Sequence, residues 1–223
     1  MNIHWQTVET ITTKVAKDVV VTGEESTTKK VESEELSLKW GDKPVVVYVC
    51  DESAGCEGFD KLEEVVLKDE KVALGMRGFK TVKMHPEHAE LDPLLAGKGK
   101  AVPRMLLVDP IKMKVKVLEK NKLKASGLYG AMKQVSGKVY KEKLDKVVKS
   151  HIKLLGEQDQ LVNEQKVLNQ KADRLAGETG KKAEKDLAEV KKEREEVTAK
   201  LAEIKKKVKE LWTLTPKATK KAA

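Results

Sequence analysis

Two cysteines and two histidines carry most of the chemistry on offer in this chain. Cys50 closes the apolar run "VVVYVC", and Cys56 follows the loop "DESAG". A thiolate is both a nucleophile and a soft metal ligand. Three expectations follow: a dithiol that exchanges with disulfides, a single reactive thiol, or a metal site that adds His85 and His88 of "MHPEH". Bridged cysteines need Cα atoms within about 7 Å of each other. A strand end and a helix start separated by five residues are poorly placed for that. "MHPEH" reads more simply as the end of a strand and the start of a helix, so neither a metal nor a cofactor is expected. The chain has no phosphate-binding glycine loop, Ser-His-Asp set or paired-carboxylate motif.

The elements that would position these groups can be read from apolar periodicity. "KPVVVYV" is a short continuous apolar run, as a strand covered on both faces shows. Phe59, Leu62, Val65, Val66, Val72 and Leu74 then recur at roughly helical spacing. "FKTVKM" predicts a second strand and "PEHAELDPLLAG" a short helix, with Pro86 early and Gly97 at its end. "VPRMLLVDP" and the alternating "MKVKVLE" predict a third and a fourth. The helix between the second and third strands suggests a parallel crossover. The short link between the third and fourth makes them antiparallel. Upstream, "TVETITTKV", "DVVVTG" and "LSLKW" suggest short strands added to the edge of this sheet, with Trp5 and Trp40 as packing residues or, less simply, ligand-stacking ones.

From Ser126 to about Leu214 the pattern is helical, with one break at "AGETG". Leucine and valine repeat every seven residues on both sides: Val147, Leu154, Leu161, Leu168 and Leu175 before it, Ala183, Val190, Val197, Ile204 and Leu211 after it. From Val147 with Leu211 to Leu175 with Ala183, each facing pair of residue numbers has the same sum. That is the register of an antiparallel helical hairpin whose tip lies near 176–180. The same rule sets Arg194 opposite Glu164. A parallel dimer would instead bring His151, Gln158 and Gln165 into its second core row, a poor seam.

The segments "KPVVVYV", "CEGFDKLEEVVLKDEKV", "FKTVKM" and "AVPRMLLVDP" together resemble the thioredoxin-like superfamily over roughly 43–135. Glu63, Leu67, Asp69 and Val72 fall on an acidic pattern that follows the C-x-x-C helix in one bacterial branch. On that alignment Cys56 holds the place of the nucleophile, and Phe59 stands where the second, resolving cysteine belongs. A gapped alignment instead reads Ser53 and Cys56 as the pair. Either way one cysteine is missing. The resemblance implies a mixed sheet with flanking helices and a cis proline at Pro103 facing Cys56. It leaves Cys50 as an unfavourable resolving thiol, and Arg104 departs from the threonine common at its position.

The division expected is therefore an N-terminal β extension (1–42), a thioredoxin-like α/β domain (43–135), an antiparallel coiled-coil hairpin (136–214) and a basic flexible tail (215–223). The charge distribution fits it. Residues 126–223 hold 24 Lys and Arg against 15 Asp and Glu, which accounts for the whole net charge of +9. Glutamates interrupt the lysines, and aromatics do not interleave with them. A solvated helical surface explains most of that charge, and a weak contact to an acidic surface or nucleic acid remains a second expectation. No apolar run approaches the ~20 residues of a membrane span, and the N-terminus lacks a signal-peptide layout. A cytoplasmic protein without a membrane partner is expected. The functional expectation is a redox-degenerate domain that engages protein partners, within a larger assembly or alone, through the seam-built arm (Leu154, Leu161, Leu168, Leu175, Val190, Val197, Ile204, Leu211). The alternative is a monothiol oxidoreductase using Cys56.

Overall fold

The computed structural model describes residues 3, 5–7, 12–18, 30–36, 42–51 and 57–217. The chain divides into two compact units, 145–214 and the remainder.

The first unit is built on a five-stranded sheet of order β1-β5-β4-β6-β7. Its strands are β1 (Gln6–Thr7), β4 (Val45–Val49), β5 (Lys80–Met84), β6 (Arg104–Asp109) and β7 (Lys114–Glu119). A separate antiparallel pair joins β2 (Thr12–Asp18) to β3 (Lys30–Leu36), with Thr12 opposite Leu36. Of the described N-terminal strands, only β1 extends the main sheet, running parallel to β5. Trp40 lies outside the described residues.

All five residues of β4 are buried because strands flank it and side chains cover both faces. Val45, Val47 and Val49 join Val82, Met84, Leu106 and Val108 on one face, under Ala89 of α3 (Pro86–Leu91) and Leu95. The opposite face is covered by α4 (Ala125–Val139), which packs on β6 and on α2 (Glu70–Gly75). Full burial of each such side chain stabilises the fold by about 1.5–3 kcal/mol, so the central strands dominate this core.

β4 and β5 are parallel, with Val47 opposite Val82, and the helices α1 (Glu57–Lys61) and α2 lie between them in sequence. The expected parallel crossover into the third strand is overturned: β6 pairs antiparallel with β4, Val47 opposite Leu106. The helix α3 has only six residues, and the connection passes over β4 without running back to the other end of the sheet, so β6 enters in the reverse direction. The β6–β7 pairing is antiparallel, as its short connection requires.

The helical run expected from Phe59 is broken. At Leu62 it widens to a π-helical turn (Leu62–Val66), in which the Leu67 N–H donates to the Leu62 carbonyl. The chain then leaves the helix, and the Asp69 side chain caps α2 by accepting from Val72 N–H at 3.1 Å. A second break interrupts the long helical pattern at Tyr140–Lys143, where Tyr140 is extended and pairs with Pro216. Its hydroxyl donates to the Gly78 carbonyl at 3.0 Å. Thr215–Lys217 thus belong to the first unit, where Lys217 N–H donates to the Val139 carbonyl.

The second unit is a hairpin of two helices, α5 (Leu144–Ala176) and α6 (Lys181–Leu211), joined by Gly177–Gly180. Leu168, Ala172, Val190 and Val197 form its buried core, flanked by Leu161, Leu175, Leu187 and Leu201. No helix among the described residues is long and apolar enough to cross a membrane.

Candidate functional site

The Val102–Pro103 peptide bond is cis, and the loop before it is held by charged side chains. Asp92, almost fully buried, accepts from the N–H groups of Leu94 (2.9 Å) and Leu95 (3.1 Å). Glu90 accepts from Gly97 N–H at 2.8 Å. Glu119, at the end of β7, accepts from the N–H groups of Lys100 and Ala101, both at 3.1 Å. Those two amides, Ala101 first, hold the Glu119 carboxyl below its ordinary range. Gly99 makes this approach possible. Its φ is +77°, and a Cβ there would lie 2.9 Å from Val117 Cγ1 and 3.0 Å from Glu119 Oε2.

Arg104 completes the frame. It is 2% exposed and lies on the same face of β6 as Leu106 and Val108. Its guanidinium donates to the Ala101 carbonyl at 3.3 Å and to Glu90 at 3.4 Å. A buried cation needs such partners. Arg104 therefore ties the start of β6 to the loop carrying Pro103.

Beside Pro103 opens a cleft of about 220 Å³, lined by Lys61, Leu62, Ala101, Val102, Pro103, Lys120, Asn121, Leu123 and Lys124. Its far wall is the connection from β7 to α4. There Lys120 adopts a left-handed backbone (φ 51°) and opens a short 3₁₀ turn, Lys120–Lys122. That turn lies directly on the first turn of α4: a Cβ on Gly127 would sit 2.6 Å from the Lys122 carbonyl oxygen.

Phe59 lies against an aromatic cluster. Its ring stacks on Tyr48 at 6.2 Å between centroids, and Trp5 meets the Tyr48 ring at 5.5 Å. The Lys83 ammonium lies 5.3 Å from both the Tyr48 and Phe59 rings and 3.4 Å from Glu63. Trp5 and Phe59 are thus packing residues here. Cys50 is buried at the end of β4, its N–H donating to the Met84 carbonyl at 3.1 Å. Cys56 lies outside the described residues, and α1 begins at the next residue, Glu57. His85 caps α3, its Nδ1 accepting from Glu87 N–H at 3.4 Å, and its ring lies 6.3 Å from that of His88. Among the described residues, no three His, Cys, Asp or Glu side chains group as metal ligands.

In the hairpin unit, the heptad positions read from sequence face one another: Leu161, Leu168, Leu175, Val190 and Val197 share one core. Ile204 is buried, and Leu154 and Leu211 are half-buried. The row of His151, Gln158 and Gln165, a poor seam for a parallel dimer, contributes to the hairpin as well. Ala172 is buried in it, and His151 is 2% exposed, its Nδ1 accepting from the Trp212 indole N–H at 2.9 Å. Arg194 makes no ion pair with Glu164 among the described residues. It lines a groove of about 560 Å³ along α6 with Gln165, Lys191, Glu195, Thr198, Ala199 and Ala202.

Sequence reasoning found Pro103 and the seam but missed the lysines of the cleft and the His151–Trp212 bond. Lys61 lies far in sequence from the stretch that holds Lys120 and Lys124, and only the fold brings the two segments together. The lone histidine in a core row was the available signal for the bond. No family model matches the chain, and neither does any curated protein or solved structure.

Proposed function

We propose that the protein is a thioredoxin-like, redox-degenerate module that engages a protein partner through its helical arm. The observation that carries the reading is Phe59. It holds the place of the resolving cysteine, and its ring is committed to the stack with Tyr48 under Lys83. A mixed disulfide formed at Cys56 would have no thiol at that position to release it. The thioredoxin-like assignment is supported by the strand order, with β6 alone running against its neighbours β4 and β7, and by the cis bond before Pro103.

The arm buries one seam and leaves its outer faces to solvent. Along α6 the groove lined in part by the small residues Ala199 and Ala202 offers a partner close backbone approach, and Val167 on α5 is 61% exposed. A two-helix unit gains little from a single seam, so a length of 33 and 31 residues is better explained by what it presents. Affinity purification of the full chain from its native host is expected to yield a stoichiometric protein partner. Ala199→Arg with Ala202→Arg, both outside the seam core, should remove that partner while leaving helicity unchanged. An identical complex from the double variant would sink this reading.

The monothiol alternative draws on the cis Pro103, which belongs to that chemistry. It predicts a depressed Cys56 thiol pKa in a Cys50→Ser background. Alkylation rates that rise only near the ordinary thiol value of about 8.5 would leave the non-redox reading alone.

A further inference from the structure

We propose that the cleft beside Pro103 is an anion-selective docking site for an acidic peptide segment that also carries apolar side chains. This goes beyond the role of the helical arm and does not rest on it.

The charge of the cleft points to such a ligand. Lys61, Lys120 and Lys124 converge on it from α1, from the end of β7 and from the start of α4. No carboxylate belongs to its described lining, and none of the three ammonium groups forms an ion pair among the described residues. Three like charges around one concavity repel one another, and an anion offsets that cost. The start of α4 adds to the field: Lys124 stands at the capping position usual for Ser, Thr, Asp or Asn, no side chain caps the first turn, and no acidic residue lies in it.

The walls between the charges are apolar, formed by Leu62, Val102, Pro103 and Leu123. A volume of about 220 Å³ is below the ~300 Å³ of the smallest whole-ligand pockets, so it suits a side chain of a longer ligand better than a cofactor. Among the described residues, neither an aromatic ring nor an arginine lines the cleft to stack on a base. An acidic peptide fits this mixture better than a nucleic acid does. The mouth is also held in place from both sides. Glu119 and Arg104 fix Ala101 before Pro103, and Gly127 lets the Lys120–Lys122 turn lie on α4. The site is formed in advance of binding.

The test uses the full chain and a short labelled peptide alternating Glu and Leu, followed by fluorescence anisotropy and by methyl NMR. The expected result is a shift of the Val102 and Leu123 methyl signals and an affinity that weakens with added salt. Lys61→Gln, Lys120→Gln and Lys124→Gln together should weaken binding about tenfold, as three exposed charge contacts would. Lys112→Gln with Lys114→Gln, on the β6–β7 turn, should leave it unchanged. The triple variant replaces exposed side chains only, and circular dichroism checks its fold. Equal weakening by the turn variant would reduce the effect to net charge and overturn the proposal. So would unmoved methyl signals, equal binding of a Lys-Leu peptide, displacement by inorganic phosphate at matching concentration, or tighter binding of a single-stranded oligonucleotide to the same methyls. The α6 groove variant should bind the peptide normally, so failure of the arm and failure of the cleft are separate results.

Discussion

Glu119 shows how one carboxylate sets the geometry of a loop. Its two backbone bonds depend on its ionised form, and they hold its carboxyl below the ordinary range, with Lys120 and Arg104 adding smaller effects. A group lowered in the folded state contributes stability above its ordinary value and loses it as pH falls through the lowered one. The loop before Pro103 should therefore loosen in acid, as pH falls through a range below the ordinary glutamate value. Amide exchange at Lys100 and Ala101, corrected for intrinsic rates, should accelerate in that range. In Glu119→Gln it should be faster at neutral pH and flat across the same range. An exchange profile of the native chain without this acid limb would contradict the role given to Glu119. Little of this was legible beforehand. Pro103 was reached through the family resemblance, which rests there on a local X-Pro dipeptide before a strand. Glu119 lies far from the loop in sequence, and only the β6–β7 register brings it there.

Among the elements, legibility followed local periodicity. The continuous apolar run of β4 and the alternation of β7 gave those strands directly. The direction of β6 did not follow, because it depends on whether α3 is long enough to carry the chain back to the end of the sheet where β5 began, and six residues are too few. The break at Tyr140 was invisible for a similar reason: its causes, Gly78 and Pro216, are tertiary partners. The hairpin was the clearest element, since a seven-residue repeat mirrored about a glycine-flanked break has one simple solution. Its energetics can be separated by two substitutions. Leu168→Ala, in the seam, should cost about 2 kcal/mol or more. Trp212→Phe removes the indole donor to the His151 Nδ1 and should cost about 1 kcal/mol, the net worth of a typical hydrogen bond. Urea melts followed by helical circular dichroism measure both. A Trp212→Phe protein as stable as the native chain would show that the bond contributes nothing net.

At the scale of the whole molecule, the hairpin core is complete within one chain: α5 and α6 supply both sides of the seam. Its thermal transition should be unchanged over a hundredfold range of protein concentration. A melting temperature that rises with concentration, as mass action requires of an oligomer, would mean that a second chain completes the seam. The charge asymmetry read from the sequence takes a different form in the structure. The basic surplus lies in the C-terminal part, but the cleft lysines Lys61, Lys120 and Lys124 lie before 126, in the stretch whose total charge balances. Local arrangement, more than net charge, decides where an anion would be held.

Thr215–Lys217 return to the C-terminal end of α4, so that the chain leaves and re-enters the first unit through neighbouring segments joined at Tyr140 and Pro216. In topological terms the hairpin is an insertion, and the bridge is its clasp. A cassette closed in this way can be lengthened, shortened or exchanged by whole heptads during evolution without changing the register of any strand in the sheet. A related chain with an arm of different reach would keep the clasp, the cleft and the cis proline, and differ only in what lies between residues 144 and 215.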